Sequence, residues 1–403
     1  MNQISLKVPP HIPPHLVYDF DHFDAPELLN DPQRRVPARL HGEAPPIFWT
    51  PRQGGYWVVT RAALALEMTR DIEKFSSLPA YNKAKDFHPP MLPIQSDPPL
   101  HNEYRRILNP IFAPGPIKKL EGMIRDLVRQ IIDPIIPRGH CDFLLEIAEI
   151  FPVIMFLRII GAPEEDRHKL VPIAQKYTRS PIFEERAQAI ADFGAYLKSG
   201  FDARRDQDGD DLLSRVARGR IDGRALSAVE EEGLGVLLLL AGLDTVKSAM
   251  SFAVANLARH PNLYKQIVED PSKIPAAVEE LLRVGGVSTP ERGATGDFEW
   301  HGVPFRKNDR IVMLYQLYGV DDQWVENPQE IRFDREVSNH LAFGSGPHRC
   351  IGSHLARLEF KVFLEEWTKS VPVFSMEVNG PLKTTCGIVW SPEELNLVWP
   401  VQS

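Results

Sequence analysis

The chain has 403 residues, 43% of them hydrophobic and 25% charged, a composition suited to a globular protein with a large buried core. Its formal net charge of -8 offers no global basic field to attract nucleic acid or an anionic lipid surface. Three cysteines, Cys141, Cys350 and Cys386, are too few and too odd in number for a disulfide framework, and they lack the paired spacing of a structural zinc site.

Prolines break up the first twenty residues where the apolar segment of a leader would have to lie, so a cytoplasmic protein without a signal peptide is expected. Of the 36 prolines in the chain, many fall in the first third, which reads as ordered coil laid over a scaffold. Residues 47–50 and 56–60 flank Gly54-Gly55 and predict a hairpin. Apolar periodicity predicts helices over 120–135, 163–177 and 190–205. Residues 143–161 are apolar but carry Glu146, Glu149 and Arg158, and read as a buried helix pair.

The longest helix expected starts at Ser227, whose S-x-x-E spacing with Glu230 is a capping box, and runs to His260-Pro261. Such a helix would be roughly 50 Å long at 1.5 Å rise per residue. Its middle, residues 236–243, is apolar on every side, so it should cross the interior. That stretch is far short of the ~20 residues of a membrane span, so no membrane segment is expected. Short strands are expected at 298–300, 310–314 and 373–378, the last before the turn pair Asn379-Gly380. The layout is mainly α with a smaller β portion, in a single domain over residues 1–403.

One cysteine has unusual neighbours. Phe343-Gly344-Ser345-Gly346-Pro347-His348-Arg349-Cys350-Ile351-Gly352 leads into a helix whose apolar face carries Ile351, Leu355, Leu358 and Val362. Cys350 therefore sits at or just before a helix N-terminus, where free N–H groups favour a thiolate. Gly344 and Gly346 permit backbone conformations closed to other residues, so the loop can fold tightly beneath a flat ligand. Gly352 removes a side chain that would strike such a ligand. A lone cysteine is usually an inert buried thiol. That reading leaves the phenylalanine, glycines, histidine and arginine at fixed offsets unexplained.

These ten residues resemble the haem-binding loop of the cytochrome P450 superfamily, F-G-x-G-x-H-x-C-x-G, at every defining position. The resemblance implies that superfamily's fold, a helical prism around a buried haem b (iron protoporphyrin IX), with Cys350 as the axial ligand to iron. A thiolate in that place favours O–O bond cleavage.

Four further segments carry the resemblance. Ala241-Gly242-Leu243-Asp244-Thr245 is a costly cluster inside an apolar helix: Gly242 costs ~1 kcal/mol relative to alanine, and a threonine can bond back to a carbonyl one turn earlier. By similarity to the superfamily's acid–alcohol pair, Thr245 would hydrogen-bond the oxygen substrate and Asp244 would relay protons to it. Glu280 and Arg283 match the superfamily's E-x-x-R scaffold pair, joined by Arg335. His101 and Arg105, four residues apart after Asp97-Pro98-Pro99, would bind haem propionates together with Arg292 and His348, and Phe343 would line the cysteine loop. Smaller likenesses, in residues 241–246, 141–143 and 348–367, point to the camphor-hydroxylating branch of bacterial members. The segment 83–96 lacks that branch's ketone-holding tyrosine, with Lys85, His88 or Pro89 falling near its place, so camphor itself is not carried over.

By position, Leu237, Leu240 and Ala241 should face the space above the iron, with Phe87, Val287, Ser288, Ile388 and Val389 from matching loops. That lining suits a compact hydrophobic molecule, terpenoid-like or aromatic. No flavin or nicotinamide fingerprint is present, so electrons must come from another protein. The resemblance implies a [2Fe-2S] ferredoxin with its reductase, docking by Arg105, Arg106, Arg349 and Arg357, with dioxygen as co-substrate and a monomeric enzyme. The alternatives are a haem-thiolate sensor or carrier and a peroxide-using peroxygenase. The retained Asp244-Thr245 pair argues against both.

Overall fold

The computed structural model describes residues 8–78, 90–336, 339–378 and 380–401. Helices dominate, and the β portion is gathered into small sheets. The largest has five strands in the order Ile47–Thr50, Tyr56–Val59, Arg310–Met313, Glu291–Ala294 and Phe75–Ser76. The expected hairpin is present, with Ile47 opposite Val59 and Thr50 opposite Tyr56. Its second strand runs parallel to Arg310–Met313, which in turn pairs antiparallel with Glu291–Ala294. A second sheet joins Ser375–Met376, Asn396–Val398 and His140–Asp142, so the expected final strand is shorter than residues 373–378. Cys141 lies in this sheet opposite Leu397.

The periodic segments form helices Glu121–Ile132, Arg167–Arg179 and Phe183–Asp202. Residues 143–161 form a π-helical turn, Leu144–Ala148, followed by the buried helix Phe151–Ile160. The capping box at Ser227 is made as expected, with both reciprocal bonds to Glu230. The long helix is a correction. It is not continuous but divides at Asp244 (φ -129°, ψ -25°) into Ala228–Leu243 and Thr245–Arg259. The cause is local, because the Thr245 hydroxyl donates to the Ala241 carbonyl at 2.7 Å and a side chain thereby enters the helical ladder.

Residues 228–259 have the length and hydropathy of a membrane span. They are instead the central core helix, with Phe151–Ile160, Arg167–Arg179, Phe183–Asp202 and Leu212–Ala217 packed around the first half. The buried apolar side chains, from Ile12 to Trp399, form one contiguous cluster. Glu280 and Arg283, both fully enclosed on the helix Ile274–Val284, pair at 2.7 Å. Arg335 reaches the same carboxylate at 2.8 Å, and Arg283 also donates to the Gly319, Pro328 and Glu330 carbonyls. This triad ties the Ile274–Val284 helix to the loop that precedes the cysteine segment.

Candidate functional site: the cysteine loop and the broken helix

The cysteine loop is shaped by two left-handed residues. Gly344 and Gly346 both have φ of +66°, and a Cβ on Gly346 would lie 2.3 Å from the Thr69 carbonyl oxygen. The Cys350 N–H donates to the Phe343 carbonyl at 2.8 Å, closing the loop, and the helix Ser353–Ser370 begins two residues after Ile351. Cys350 is exposed, yet burial pushes its thiol up, so protein surrounds the sulfur closely. A Cβ on Gly352 would meet just that sulfur, at 3.8 Å, so the glycine leaves open space beside it.

The balance at Cys350 differs from the expectation of a thiolate set by the helix terminus alone. Burial outweighs the Gly352 N–H and the nearby cations of Arg105, Arg357 and Arg349, all of which pull the thiol down. Such a thiol is deprotonated outright when it coordinates a metal cation. The other two cysteines are ordinary core thiols: burial pushes Cys141 up to about 12 and Cys386 higher still.

Around the sulfur lies a set of donors in want of anions. His101 and His348 face each other with ring centroids 4.4 Å apart. The Nε2 atoms of both are buried and make no hydrogen bond among the described residues. Burial lowers both imidazoles, His348 to about 4 in spite of Asp97 nearby. Arg292, on the strand Glu291–Ala294, is 3% exposed and donates to its neighbour's carbonyl, from Nη1 to Glu291 O at 2.7 Å. No carboxylate among the described residues pairs with it. Arg105 donates to the Arg349 carbonyl at 3.0 Å, which fastens the Leu100–Phe112 helix to the cysteine loop. Buried cations and imidazoles without counter-charges are costly. A flat group carrying two carboxylates beside a metal fits this donor set, as haem b does.

The broken helix supplies a second set of candidate residues. Leu237, Ala241 and Thr245 succeed one another at four-residue spacing on one face, and each is accessible although helices pack around the segment. Leu240, three residues after Leu237, is 5% exposed. Ser288 and Val389 form a bridge, the Thr289 N–H donates to the Ile388 carbonyl and the Trp390 N–H to the Val287 carbonyl. The two distant loops named from the sequence are thus brought together, with Ser288 and Ile388 half-buried and Val287 and Val389 buried. Phe87, like Lys85, His88 and Pro89, lies outside the described residues.

Asp244 is fully enclosed. Its carboxylate accepts from Thr178 Oγ1 at 2.9 Å and Arg179 Nη2 at 2.8 Å, and Lys247 Nζ lies 3.1 Å away. Burial pushes the carboxyl up, but Lys247, Arg179 and Thr178 outweigh it and hold it below the usual range. Sequence reasoning missed these partners. Lys247 was visible three residues after Asp244, as a charge inside an apolar helix. Arg357 is a correction of another kind: it pairs bidentately with Glu279 and stacks 4.6 Å over the Phe343 ring. Its charge is already matched and braces the loop.

Comparisons with known proteins bear on the family of the chain. The family model described as Cytochrome P450 matches residues 144–397. Probable cytochrome P450 127A1 of Sinorhizobium fredii is 34% identical over 402 residues, 97% of each chain. Cytochrome P450-terp of Pseudomonas sp is 31% identical over 303 residues, 71% of this chain and 70% of that one. Among solved structures, CYP101J2 has a TM-score of 0.88 at 35% identity, covering 98% of this chain and 100% of the other. CYP101C1 has a TM-score of 0.86 at 32% identity with the same coverage. The chain belongs to the cytochrome P450 family.

Proposed function

We propose that this P450 monooxygenase inserts one atom of dioxygen into a C–H bond of a compact hydrophobic molecule, terpenoid-like or a small aromatic, using electrons from a [2Fe-2S] ferredoxin and its reductase. It acts as a cytoplasmic monomer. The observation that carries the reading is the exposed Cys350 on its closed glycine loop, with arginines nearby and with the buried Nε2 atoms of His101 and His348 making no hydrogen bond among the described residues. Haem b, held by Cys350 with His101, Arg105, Arg292 and His348 at its carboxylates, supplies the oxidising centre, and thiolate ligation favours O–O cleavage.

The remaining work falls to this chain's side chains. Leu237, Ala241, Val287, Ile388 and Val389 shape an apolar space that excludes water and holds the substrate by fit, with Ser288 as a polar contact. Because the Thr245 hydroxyl hydrogen is committed to the Ala241 carbonyl, its oxygen lone pairs are free to accept a hydrogen bond in the cavity. Asp244, ionised and next in sequence, is the group that passes protons inward from its polar niche. Arg349 is exposed on the cysteine loop and suits an acidic redox partner, whereas Arg106 is exposed but already pairs with Glu103.

The reduced carbonyl complex of the purified protein should show the red-displaced Soret band of thiolate ligation. Cys350→His should keep haem, lose that band and lose hydroxylation. A parent spectrum like that of a histidine-ligated haem would refute the reading. Soret titration of the ferric protein with small terpenoids and aromatics tests the substrate class. A response confined to long fatty acids or large polar metabolites would refute it.

A further inference from the structure

Lysine is rarely enclosed unless it is paired. Lys247 has 1% of its side chain exposed, one turn past Asp244, at the centre of the core helix. Its ammonium lies between two carboxylates, 3.1 Å from Asp244 Oδ1 and 3.3 Å from Glu149 Oε2. Glu149 follows the Leu144–Ala148 turn, has 29% of its side chain exposed, and is held by Gln175 Nε2 at 3.2 Å. The other groups on Asp244, Thr178 and Arg179, come from the end of the Arg167–Arg179 helix. Two cations and two carboxylates therefore make a neutral chain from the enclosed Asp244 to solvent.

To act on a proton in the cavity, Asp244 must release its partners. Arg179 has 21% of its side chain exposed and can turn to water. Lys247 cannot, and a departing Asp244 would strand a buried ammonium unless another anion kept it. Glu149 is placed to do so. We propose that Lys247 is a positioning residue for proton delivery, shared by Asp244 and Glu149, and that Glu149 retains the lysine while Asp244 turns toward Thr245. This rests on the role given to Asp244 above.

The two partners then have opposite effects. Glu149→Gln leaves Asp244 as the lysine's sole anion and tightens its hold. Lys247→Met frees Asp244 and removes an opposite charge at close range, which raises its folded pKa. The test uses the purified holoenzyme with a surrogate ferredoxin and reductase and a compound selected by the Soret titration, assayed in H2O and D2O. Glu149→Gln should slow reductant consumption several-fold and enlarge the solvent isotope effect. Lys247→Met should shrink that effect, and Lys247→Arg should restore parental values.

A second readout needs no turnover. The pH dependence of unfolding is compared between Asp244 and Asp244→Asn proteins, in the parent and in the Lys247→Met background. The depressed Asp244 pKa contributes stability that is present above the unfolded carboxylate value and lost as pH falls through the folded one. In the Lys247→Met background that loss should be smaller and should be complete at a higher pH. The proposal is overturned if both variants move the isotope effect the same way, or if neither moves it. Should Lys247→Met not fold, an unchanged rate and isotope effect in Glu149→Gln alone overturns it. A parent lacking the thiolate spectrum refutes the functional reading before any variant is made, whereas these outcomes refute the role of Lys247 alone.

Discussion

Replacing Gly242 by alanine tests whether the core helix carries a glycine because of what lies against it. By helix propensity alone the change should stabilise by ~1 kcal/mol. The packing predicts otherwise. An alanine Cβ would sit 2.4 Å from three ring carbons of Phe156, on the buried helix Phe151–Ile160. Carbon atoms in contact prefer roughly 3.5–4.0 Å, so the ring must retreat by about 1 Å or more. Phe156 is 5% exposed and belongs to the main apolar cluster, so it has little room to yield. Overpacking of this kind costs about 1–3 kcal/mol, which cancels or exceeds the propensity gain. With Phe156 first cut back to alanine, the obstacle is gone and Gly242→Ala should become stabilising. Urea midpoints of the parent, both single variants and the double variant, at matched m-values, give a coupling of about 1–3 kcal/mol. The same effect of Gly242→Ala in both backgrounds would refute the packing explanation.

Thr245→Ala should continue to consume reductant while releasing peroxide in place of product, because the cavity-facing hydroxyl acceptor is lost; an unchanged product yield per electron would rule that role out. Glu366 tests the electrostatics of the frame away from the cavity. Burial raises its carboxyl, but Lys369, Arg129 and Arg125 bring it down to about 2 from 4.5. Its contribution is therefore complete above pH 4.5 and lost as pH falls toward 2. At about 1.4 kcal/mol per unit, and discounted because Arg129 and Lys369 are half-exposed, it amounts to roughly 2 kcal/mol at neutral pH. Glu366→Gln should be less stable by that amount at pH 7 and match the parent near pH 2, as measured by unfolding at each pH.

The features legible in the sequence are those in which spacing itself is the chemistry. Residues 343–352 place glycines where φ must be positive and a cysteine at the start of a helix, and the structure realises both at Gly344, Gly346 and Cys350. The hairpin at residues 47–59 and the Ser227–Glu230 box follow likewise from rules that reach only a few residues along the chain. The Glu280–Arg283–Arg335 triad was anticipated by resemblance, whereas the carbonyls that share its arginines were not.

Tertiary structure alone decided what each charge faces. Asp244 looks in sequence like a polar intruder in an apolar helix. It is tied to Thr178 and Arg179, more than sixty residues earlier, and to a lysine that Glu149 shares. Arg357 reads as a docking charge until Glu279, seventy-eight residues away, is found neutralising it. The break at Asp244 was also hidden, because periodicity runs through it unchanged while one threonine hydroxyl redirects the ladder. Local spacing fixes backbone geometry and which groups carry charge. Which charges are left uncompensated around the Cys350 sulfur depends on burial and long-range pairing, and only the folded chain sets those.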